Sequence, residues 1–567
     1  MAVNSMDAGA VRLMNVQKAG REFAFAGLIA ILAITILYPM FWALLGSFQT
    51  DEGVWTLAHY KRVFTPYYLR VMGTTLIYAF SSVLLSLAVA MPLAWLVARS
   101  DMPGKGLVRA ATVITFVMPP LFHALAFVFL LQPRTGLVNE LFEYLTGFRP
   151  FNIYSMSGLV FATVCGLFPQ AFLLLDSAFR NIDPSLEEAA AITGANQWQT
   201  AGRVVFPLVL PAILSSVVLG MIEVLAVFGP PAVIGIPAKI YVMSTQIFVE
   251  LASSPPRMEF AAALSILFLA IAGALLLLQD RLLRRRGFTT VAGKGSRPKL
   301  VALGRWRWVA FGGSAFVLIV TLVLPTLMLV VVSFSRVWTQ GPSLQNLTFD
   351  FYRAALGGGY GALASLGNTL IFAITTLVAT IALGLPIAWI ITRGNGLRVR
   401  VLRWLVYLPF SIPAVVFTVG VVLAYIRPPL VLYGSMLIIV VCYFGRFLPF
   451  AVQPLSDGLR QIDRSLTEAA RVVGSGVWQT ATRIVMPMLK YATLSTAMLI
   501  FVACVREIVS IALLYSPGNE SLMMTAMLLW DEGQAQITAA LVVVIIVLAG
   551  SFYAIAQYLS RKKTKAA

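Results

Sequence analysis

The sequence predicts an all-α integral membrane protein with twelve transmembrane helices, arranged as two parallel six-helix repeats. Three observations support this fold class. Charged residues make up 11% of the 567 residues and the mean hydropathy is +0.87, whereas soluble domains contain about 25% charged residues. Apolar runs long enough to span a bilayer occur twelve times, and a polar motif between such runs occurs twice.

The apolar runs follow one another along almost the whole chain, and a spanning helix needs about 20 residues. We place the twelve spans near residues 23–48, 71–98, 108–131, 155–178, 207–229, 259–280, 308–334, 367–392, 402–426, 430–455, 488–514 and 537–558.

Lysine and arginine concentrate in alternate loops, which is the pattern that marks cytoplasmic loops. The most basic stretch is RLLRRR at 281–286, and the C-terminal SRKKTKAA is similar in character. If both termini face the cytoplasm, all of these basic loops lie on the cytoplasmic side of the membrane. Because the bases are scattered among short loops, the net charge of +19 does not indicate a nucleic-acid partner.

The polar motif indicates that the chain is a duplication. Residues 180–207 read RNIDPSLEEAAAITGANQWQTAGRVVFP, and residues 460–487 read RQIDRSLTEAARVVGSGVWQTATRIVMP, a shift of 280 residues. Other matches, such as GTTLIYAF at 73–80 and GNTLIFAI at 367–374, are shifted by 294 residues. The first half therefore carries extra residues, which we place in its outer loop near 132–154.

These boundaries divide the chain into an N-terminal segment, two repeated units, a linker and a tail. The predicted segments are 1–22, a first unit at 23–281 with a hairpin at 183–206, a linker at 282–306, a second unit at 307–559 with a hairpin at 463–486, and a tail at 560–567.

Each copy of the motif predicts a helix–glycine–helix hairpin at the membrane surface. In the first copy, Ser185 and Glu188 have the spacing of a capping box at the start of a helix. Gly194 is placed to end that helix in the left-handed conformation. A second short helix follows, and the next apolar run begins at Pro207. The second copy repeats each of these residues at the same shift.

The pattern Glu-Ala-Ala, three residues, Gly, and a Pro about a dozen residues on resembles the coupling-helix signature of permease subunits of type I ABC importers. The matching residues are Glu188, Ala189, Ala190 and Gly194 in the first copy, and Glu468, Ala469, Ala470 and Gly474 in the second.

The resemblance implies the type I ABC importer permease fold in a bacterial inner membrane, surrounded by lipid. It also implies two partners: a homodimer of ATP-binding subunits docked on the cytoplasmic hairpins, and a periplasmic substrate-binding protein on the opposite face. ATP and Mg²⁺ would bind to the partner ATPase, and no cofactor is expected in this chain. From the residues alone, a pair of surface hairpins without any partner is an alternative.

No motif indicates catalysis in this chain. The Gly-x-x-x-x-Gly-Lys-Ser/Thr loop that binds phosphates is absent. The two histidines, His59 and His123, lack the spacing of metal ligands, and Cys165, Cys442 and Cys504 fall singly in apolar runs. We therefore predict a transport subunit with no catalytic residues and no metal site, and we expect His123 to be packed and hydrogen-bonded.

Four ionisable residues fall within predicted spans, where a charge is costly and suggests function. They are Glu223 in the fifth run, Arg446 in the tenth, and Arg506 and Glu507 in the eleventh. By the resemblance, the helices after each coupling motif line the translocation pathway. We expect Glu223 and Glu507 to face one another across a central cavity, with Arg446 neutralising Glu507. A buried structural ion pair that joins the halves is the alternative.

The cargo is suggested only by a finer resemblance. The fusion of two units and the stretches GMIEVLAVFGPPAVIGIPAKIYVMSTQIF and CVREIVSIALLYSPGNESLMM resemble the ferric-iron group of these importers. Permeases for aminoethylphosphonate, thiamine and polyamines look similar. An ion-coupled secondary transporter is an alternative from a different class. The outer segments 228–248 and 513–534 are expected to be re-entrant or gate segments, or else ordinary loops.

Overall fold

The computed structural model describes residues 20, 22–284, 300–340 and 343–561. Within these ranges the chain forms helices and no strand, apart from three isolated β-bridges. The predicted N-terminal segment, linker and tail lie mainly outside the described residues.

Both halves are built from a similar succession of helices. The first half contains α1 (Glu22–Gly46), α2 (Ala58–Val63), α3 (Pro66–Arg99), α4 (Lys105–Val117), α5 (Pro120–Leu131), α6 (Leu137–Thr146), α7 (Met156–Arg180), α8 (Pro184–Ile192), α9 (Ala201–Ala226), α10 (Met243–Leu251) and α11 (Met258–Arg284). The second half contains α12 (Trp306–Ser333), α13 (Asp350–Leu356), α14 (Ala362–Arg393), α15 (Leu397–Ser411), α16 (Ala414–Tyr425), α17 (Met436–Gln461), α18 (Arg464–Val472), α19 (Trp478–Val505), α20 (Val509–Leu514), α21 (Leu522–Asp531) and α22 (Ala535–Arg561).

Ten helices in the described ranges are long and apolar enough to cross a membrane: α1, α3, α7, α9, α11, α12, α14, α17, α19 and α22. The predicted spans at 108–131 and 402–426 are not single helices. Helices α4 and α5 meet at 96°, and α15 and α16 meet at 108°, so the total reaches twelve only if each bent pair counts as one span.

Proline explains both bends. Met118 and Ile412, the residues before Pro119 and Pro413, adopt extended conformations. A proline disfavours the helical conformation at the preceding residue and lacks the N–H that would continue the helix. The two helices of each pair therefore point in different directions.

Among the other prolines inside spans, four follow a π-helical turn. Each comes two residues after a five-residue π-helical turn, at Ala33–Leu37, Ala201–Val205, Ile319–Val323 and Ala481–Val485. A proline ring clashes with the carbonyl four residues earlier in a regular α-helix. The wider π-turn contains that residue and accommodates the ring, so the span continues.

The first span of each half packs against the other half. Helix α1 contacts α16, and α12 contacts α5. Tyr425 Oη donates to the Ile34 carbonyl at 2.7 Å, and His123 Nε2 lies 2.9 Å from the Thr321 carbonyl. His123 is thus the packed, hydrogen-bonded residue that we expected. One apolar core runs through both halves.

The hairpins of the two halves lie at the same end of the bundle. The start of α12 lies beside the end of α3, because Leu303 N donates to Asp101 Oδ1 at 2.8 Å. Helix α12 crosses the bundle to the opposite end, and α14 crosses back. The C-terminus of α14 therefore lies at the same end of the bundle as the N-terminus of α12. Arg393, the last residue of α14, donates to the Ile462 carbonyl immediately before the second hairpin.

The opposite end carries ordered, buried segments. Helices α10 and α21 bury most of their side chains, and each is fixed by a threonine hydroxyl. Thr75 Oγ1 accepts from Met243 N at 2.9 Å, and Thr369 Oγ1 accepts from Leu522 N at 2.8 Å. The outer segments are therefore packed helices, not ordinary loops. Helix α6 occupies the loop in which we place the extra residues of the first half.

Candidate functional site

The first hairpin begins with an aspartate cap. Asp183 is the N-cap of α8, and its carboxylate accepts from Ser185 N at 2.9 Å. Asp463 accepts from Ser465 N at 2.9 Å in the second hairpin. These backbone hydrogen bonds lower the pKa of both carboxyls below the usual value. The predicted capping box was wrong, because the aspartate two residues upstream takes the capping role of the serine.

A left-handed glycine ends each of these helices, as predicted. Gly194 has φ +82° and Gly474 has φ +83°. The amide of the next residue then reaches back to close the helix: Ala195 N donates to the Ala190 carbonyl at 3.1 Å. A Cβ atom added at either glycine would meet no atom of the chain within 4 Å. Only the backbone conformation, not crowding within the chain, requires glycine here.

The second part of each hairpin merges with the following span. In the first hairpin, the short helix Gln197–Thr200 continues directly into the π-turn Ala201–Val205, with which α9 begins. In the second hairpin, α19 begins at Trp478, inside the motif. The sequence predicted a separate short helix before Pro207, but the π-turn keeps the chain helical across that proline. Each hairpin is thus a direct extension of a membrane span.

The two hairpins expose apolar side chains at matching positions. Ile192 is 87% exposed and its counterpart Val472 is 88% exposed, while Leu186 and Leu466 are also exposed. The predicted coupling residues Glu188, Ala189, Glu468 and Ala469 are exposed too, Ala190 is half-buried and Ala470 is buried. Exposed apolar surface that is rimmed by polar residues is typical of a protein–protein contact.

The predicted pathway residues come together where the two halves meet. Arg446 Nη1 lies 2.5 Å from Glu507 Oε1 and donates to Ser510 Oγ at 2.7 Å. The Glu507 carboxylate also accepts from Ser510 N at 3.0 Å. The expected neutralisation of Glu507 by Arg446 is therefore present.

Glu223 of the first half and Arg506 of the second half attract one another electrostatically, and Arg506 Nη1 donates to the Phe116 carbonyl at 3.1 Å. The expected placement of Glu223 opposite Glu507 across a central cavity stays a prediction. Helix α19 ends at Val505, so Arg506 and Glu507 lie in the break before α20 and have different hydrogen-bond partners.

Two buried ion pairs near the first hairpin were missed by sequence reasoning. Arg99, the last residue of α3, pairs with Glu187 of α8. Asp176 is buried, accepts from Arg109 Nε at 3.0 Å and forms an ion pair with Arg180 at 3.1 Å. In the part of the chain that the structure describes, no three His, Cys, Asp or Glu side chains are arranged to hold a metal ion.

Two fused repeats with paired surface hairpins at one end and a charge cluster at their junction define a multi-pass membrane permease of two units. The chain belongs to the family of binding-protein-dependent transport system inner membrane components, whose family model matches residues 90–287 and again residues 380–565. It is the fused permease of an ABC importer.

Full-length relatives support the same assignment. The chain is 30% identical over 507 residues to a protein named putative ferric transport system permease protein FbpB 1 of Haemophilus influenzae, covering 87% of this chain and 78% of that protein. It is 28% identical over 519 residues to the ferric transport system permease protein FbpB of Actinobacillus pleuropneumoniae, covering 87% and 72% respectively.

A shorter relative matches a smaller part of the chain. The molybdenum transport system permease protein ModB of Escherichia coli is 30% identical over 205 residues, which cover 36% of this chain and 88% of that protein. Almost all of ModB therefore matches about one third of this chain.

Proposed function

We propose that this chain forms the membrane pathway of an ATP-driven importer that moves ferric iron from a periplasmic binding protein into the cytoplasm. The observation that carries the choice of cargo is the extent of the matches. The two relatives named as ferric permeases align with 87% of this chain each, across both units. The ModB match covers 36% of this chain.

Two copies of an ATP-hydrolysing subunit are the proposed partners at the hairpins. The support is the repetition of one exposed apolar position in both hairpins, Ile192 and Val472. A homodimer presents the same groove twice, and a duplicated hairpin fills it twice. ATP and Mg²⁺ belong to that partner. The distribution of lysine and arginine favours a cytoplasmic position for the hairpins and for both termini.

The hairpins are suited to pass motion into the membrane because each continues into a span without a flexible joint. When the ATPases close, they displace the hairpins, and α9 and α19 move with them. Glu223 lies near the end of α9, and Arg506 directly follows α19. A change in the angle between these spans therefore alters the distance between Glu223 and Arg506.

Glu223 is the proposed contact for the cargo within the pathway, and Arg506, Arg446 and Glu507 complete its surroundings. Ferric iron is a hard cation that prefers oxygen ligands. Among the described residues, Glu223 has no hydrogen-bonded or ion-paired side-chain partner within contact distance, whereas Glu507 is held by Arg446. The Arg506 guanidinium offsets the Glu223 charge when no cargo is present.

An anionic cargo is the second candidate, because Arg506 donates only to a backbone carbonyl in the described residues and keeps further N–H donors for an anion. Aminoethylphosphonate and molybdate belong to this group. A cation such as thiamine or a polyamine would use the Glu223 carboxylate in place of iron. An ion-coupled secondary transporter would use the same charges without any ATPase.

Calorimetry on the cognate periplasmic binding protein tests the cargo. The panel contains ferric iron, molybdate, aminoethylphosphonate, thiamine and putrescine, and we expect tight binding of ferric iron alone. Preference for another compound would overturn the assignment of iron and leave the ABC importer role intact.

Uptake into proteoliposomes tests the mechanism. The full chain is reconstituted with its ATPase and loaded binding protein, and we expect uptake that needs ATP and is blocked by vanadate. Uptake without the ATPase would support a secondary transporter instead. Glu223→Gln should lower uptake more than about tenfold, which corresponds to ~1.4 kcal/mol, while the control Glu52→Gln, which alters an exposed carboxylate, should keep wild-type uptake.

A further inference from the structure

The two hairpins share a backbone but are held to the membrane helices in different ways. In the first half, the buried Arg99 side chain at the end of α3 pairs with Glu187 of α8. The repeat places Thr467 where the first hairpin has Glu187. Thr467 Oγ1 donates to the Arg464 carbonyl of its own helix at 2.9 Å, so it makes no such link to α14.

The arginine itself is repeated, but its contacts are not. Arg393 at the end of α14 corresponds to Arg99. Its guanidinium donates to the carbonyls of Leu459 at 3.2 Å and Ile462 at 2.8 Å, which lie at the end of α17 and just beyond it. The Arg393 guanidinium therefore holds the backbone that precedes the second hairpin and attracts the Asp463 carboxylate electrostatically, whereas Arg99 pairs with Glu187 inside the first helix of its hairpin.

Arg99 is also joined to the other half of the protein. Val301 N donates to the Arg99 carbonyl at 2.7 Å, and Asp101 N donates to the Val301 carbonyl at 3.0 Å, which forms a parallel β-bridge beside Ser100. Leu303 N donates to the Asp101 carboxylate at 2.8 Å. These residues lead directly into α12, so Arg99 contacts α8 through its side chain and the start of α12 through its backbone.

Helix α12 then packs along the first half. Ser314 Oγ lies 3.4 Å from Met102 Sδ, and further along the helix the Thr321 carbonyl meets His123. A displacement of α8 therefore has a continuous route of contacts into both α3 and α12. Within the described residues no equivalent route leads from the second hairpin, because the junction between the two units occurs once in the chain.

We infer that Arg99 is a positioning residue that couples the first hairpin to α3 and α12 together, so that two identical ATPases act on two mechanically unequal hairpins. Asp101 and the segment 301–303 are part of the same link. The inference rests on the proposed ATPase partners. Its physical basis is that a buried guanidinium must keep a counter-charge, which holds Glu187 against the end of α3.

The test exchanges the residues that differ between the hairpins. In proteoliposomes with the ATPase and the loaded binding protein, Glu187→Thr gives the first hairpin the residue of the second. We expect the number of ATP molecules hydrolysed per cargo imported to rise at least threefold, with unchanged co-purification of the ATPase. The matched control Thr467→Val in the second hairpin should leave this ratio within twofold of the wild type.

Two further variants separate coupling from folding. Asp101→Ala removes the bond to Leu303 N, leaves Arg99 and Glu187 in place, and should raise the same ratio. The charge exchange of Arg99→Glu with Glu187→Arg should bring the ratio back towards the wild type. An unchanged ratio in both Glu187→Thr and Asp101→Ala, or an equal rise in Thr467→Val, would overturn the inference. Absence of ATP-dependent uptake in the wild type would instead refute the proposed function.

Discussion

Arg446 and Glu507 form an ion pair within the second half, with Nη1 of the arginine 2.5 Å from Oε1 of the glutamate. Both side chains are largely buried, at 17% and 10% exposure. The pair is supported by Ser510, which contacts both residues. Because these charges satisfy each other, the charges left at the junction are those of Glu223 from the first half and Arg506 from the second.

The buried pair leads to a stability prediction. Glu507→Gln leaves the Arg446 guanidinium without its counter-charge, and breaking a buried pair in this way costs about 3–5 kcal/mol. We expect the free energy of unfolding in lipid–detergent micelles to fall by about that amount. The double variant Arg446→Met with Glu507→Leu should recover most of the loss, because it removes both charges. Wild-type stability of Glu507→Gln alone would contradict the assignment.

Because no atoms crowd Gly474, a substitution there separates the effect on stability from the effect on docking of the ATPase. A side chain in the left-handed conformation costs about 1–2 kcal/mol, and no atom of the chain crowds the position. We expect Gly474→Val to insert and fold with only this modest loss of stability, yet to abolish uptake because the valine meets the docked ATPase. The comparison is made by unfolding and uptake assays on the same preparation.

The control for Gly474 is Gly476→Ala, which lies two residues away, has no left-handed backbone and is equally uncrowded. It should retain uptake. If Gly474→Val transported normally with normal ATPase activity, the docking role of the hairpin would be wrong.

The aspartate caps predict a defined pH dependence. The pKa of Asp183 is lowered by the hydrogen bond from Ser185 N. A carboxyl whose pKa is lower in the folded state stabilises that state above its unfolded pKa, and the contribution fades as the pH falls through the lowered value. The aspartate carboxylates should therefore be fully ionised and hydrogen-bonded near neutral pH, and these capping hydrogen bonds should be lost only in acid. Hydrogen exchange at the Ser185 amide should stay slow from about pH 8 to about pH 6, both well above the ordinary carboxyl pKa.

Substitution tests the same cap at constant pH. Asp183→Ala should speed exchange at the Ser185 amide, while Asp183→Asn should keep exchange slow, because asparagine is an equally good cap. Equal exchange rates in the alanine variant and the wild type would show that Asp183 does not cap α8.

The two histidines form a matched pair for testing the contact between the halves. His123 and His59 each have Nε2 2.9 Å from a backbone carbonyl, that of Thr321 in the other half and that of Gln49 in the same half. His123 is fully buried, whereas His59 is partly exposed. His123→Phe leaves a buried carbonyl unpaired, which costs about 1–3 kcal/mol, and His59→Phe should cost less because water reaches Gln49. Equal losses in the two unfolding measurements would contradict this account.

The predictable parts of the fold are those that local sequence determines. The left-handed conformation at Gly194 follows from the residue type and its place after an alanine-rich helix. The positions of the spans follow from the length of the apolar runs. The repeat placed both hairpins because the motif keeps a shift of 280 residues throughout. The capping residue was misassigned because aspartate and serine are both good N-caps, and the spacing alone does not decide whether the helix begins at Asp183 or at Ser185.

The contacts that sequence reasoning missed are those that the repeat does not preserve. Arg99 is repeated as Arg393, but its partner Glu187 is replaced by Thr467, so the duplication gave no sign of the ion pair. The attraction between Glu223 and Arg506 was not anticipated, because it joins residues from different halves. The bends at Pro119 and Pro413, of 96° and 108°, exceed the ordinary kink that a proline predicts.

The placement of α1 against α16 has a consequence for how the protein is made. A ribosome synthesises α16 only after most of the chain has already entered the membrane. Until then, α1 lacks this neighbour and has α11 of its own half to pack against. Early termination would thus leave α1 without one of its partners, and the first half completes its packing only once the second half is in the membrane.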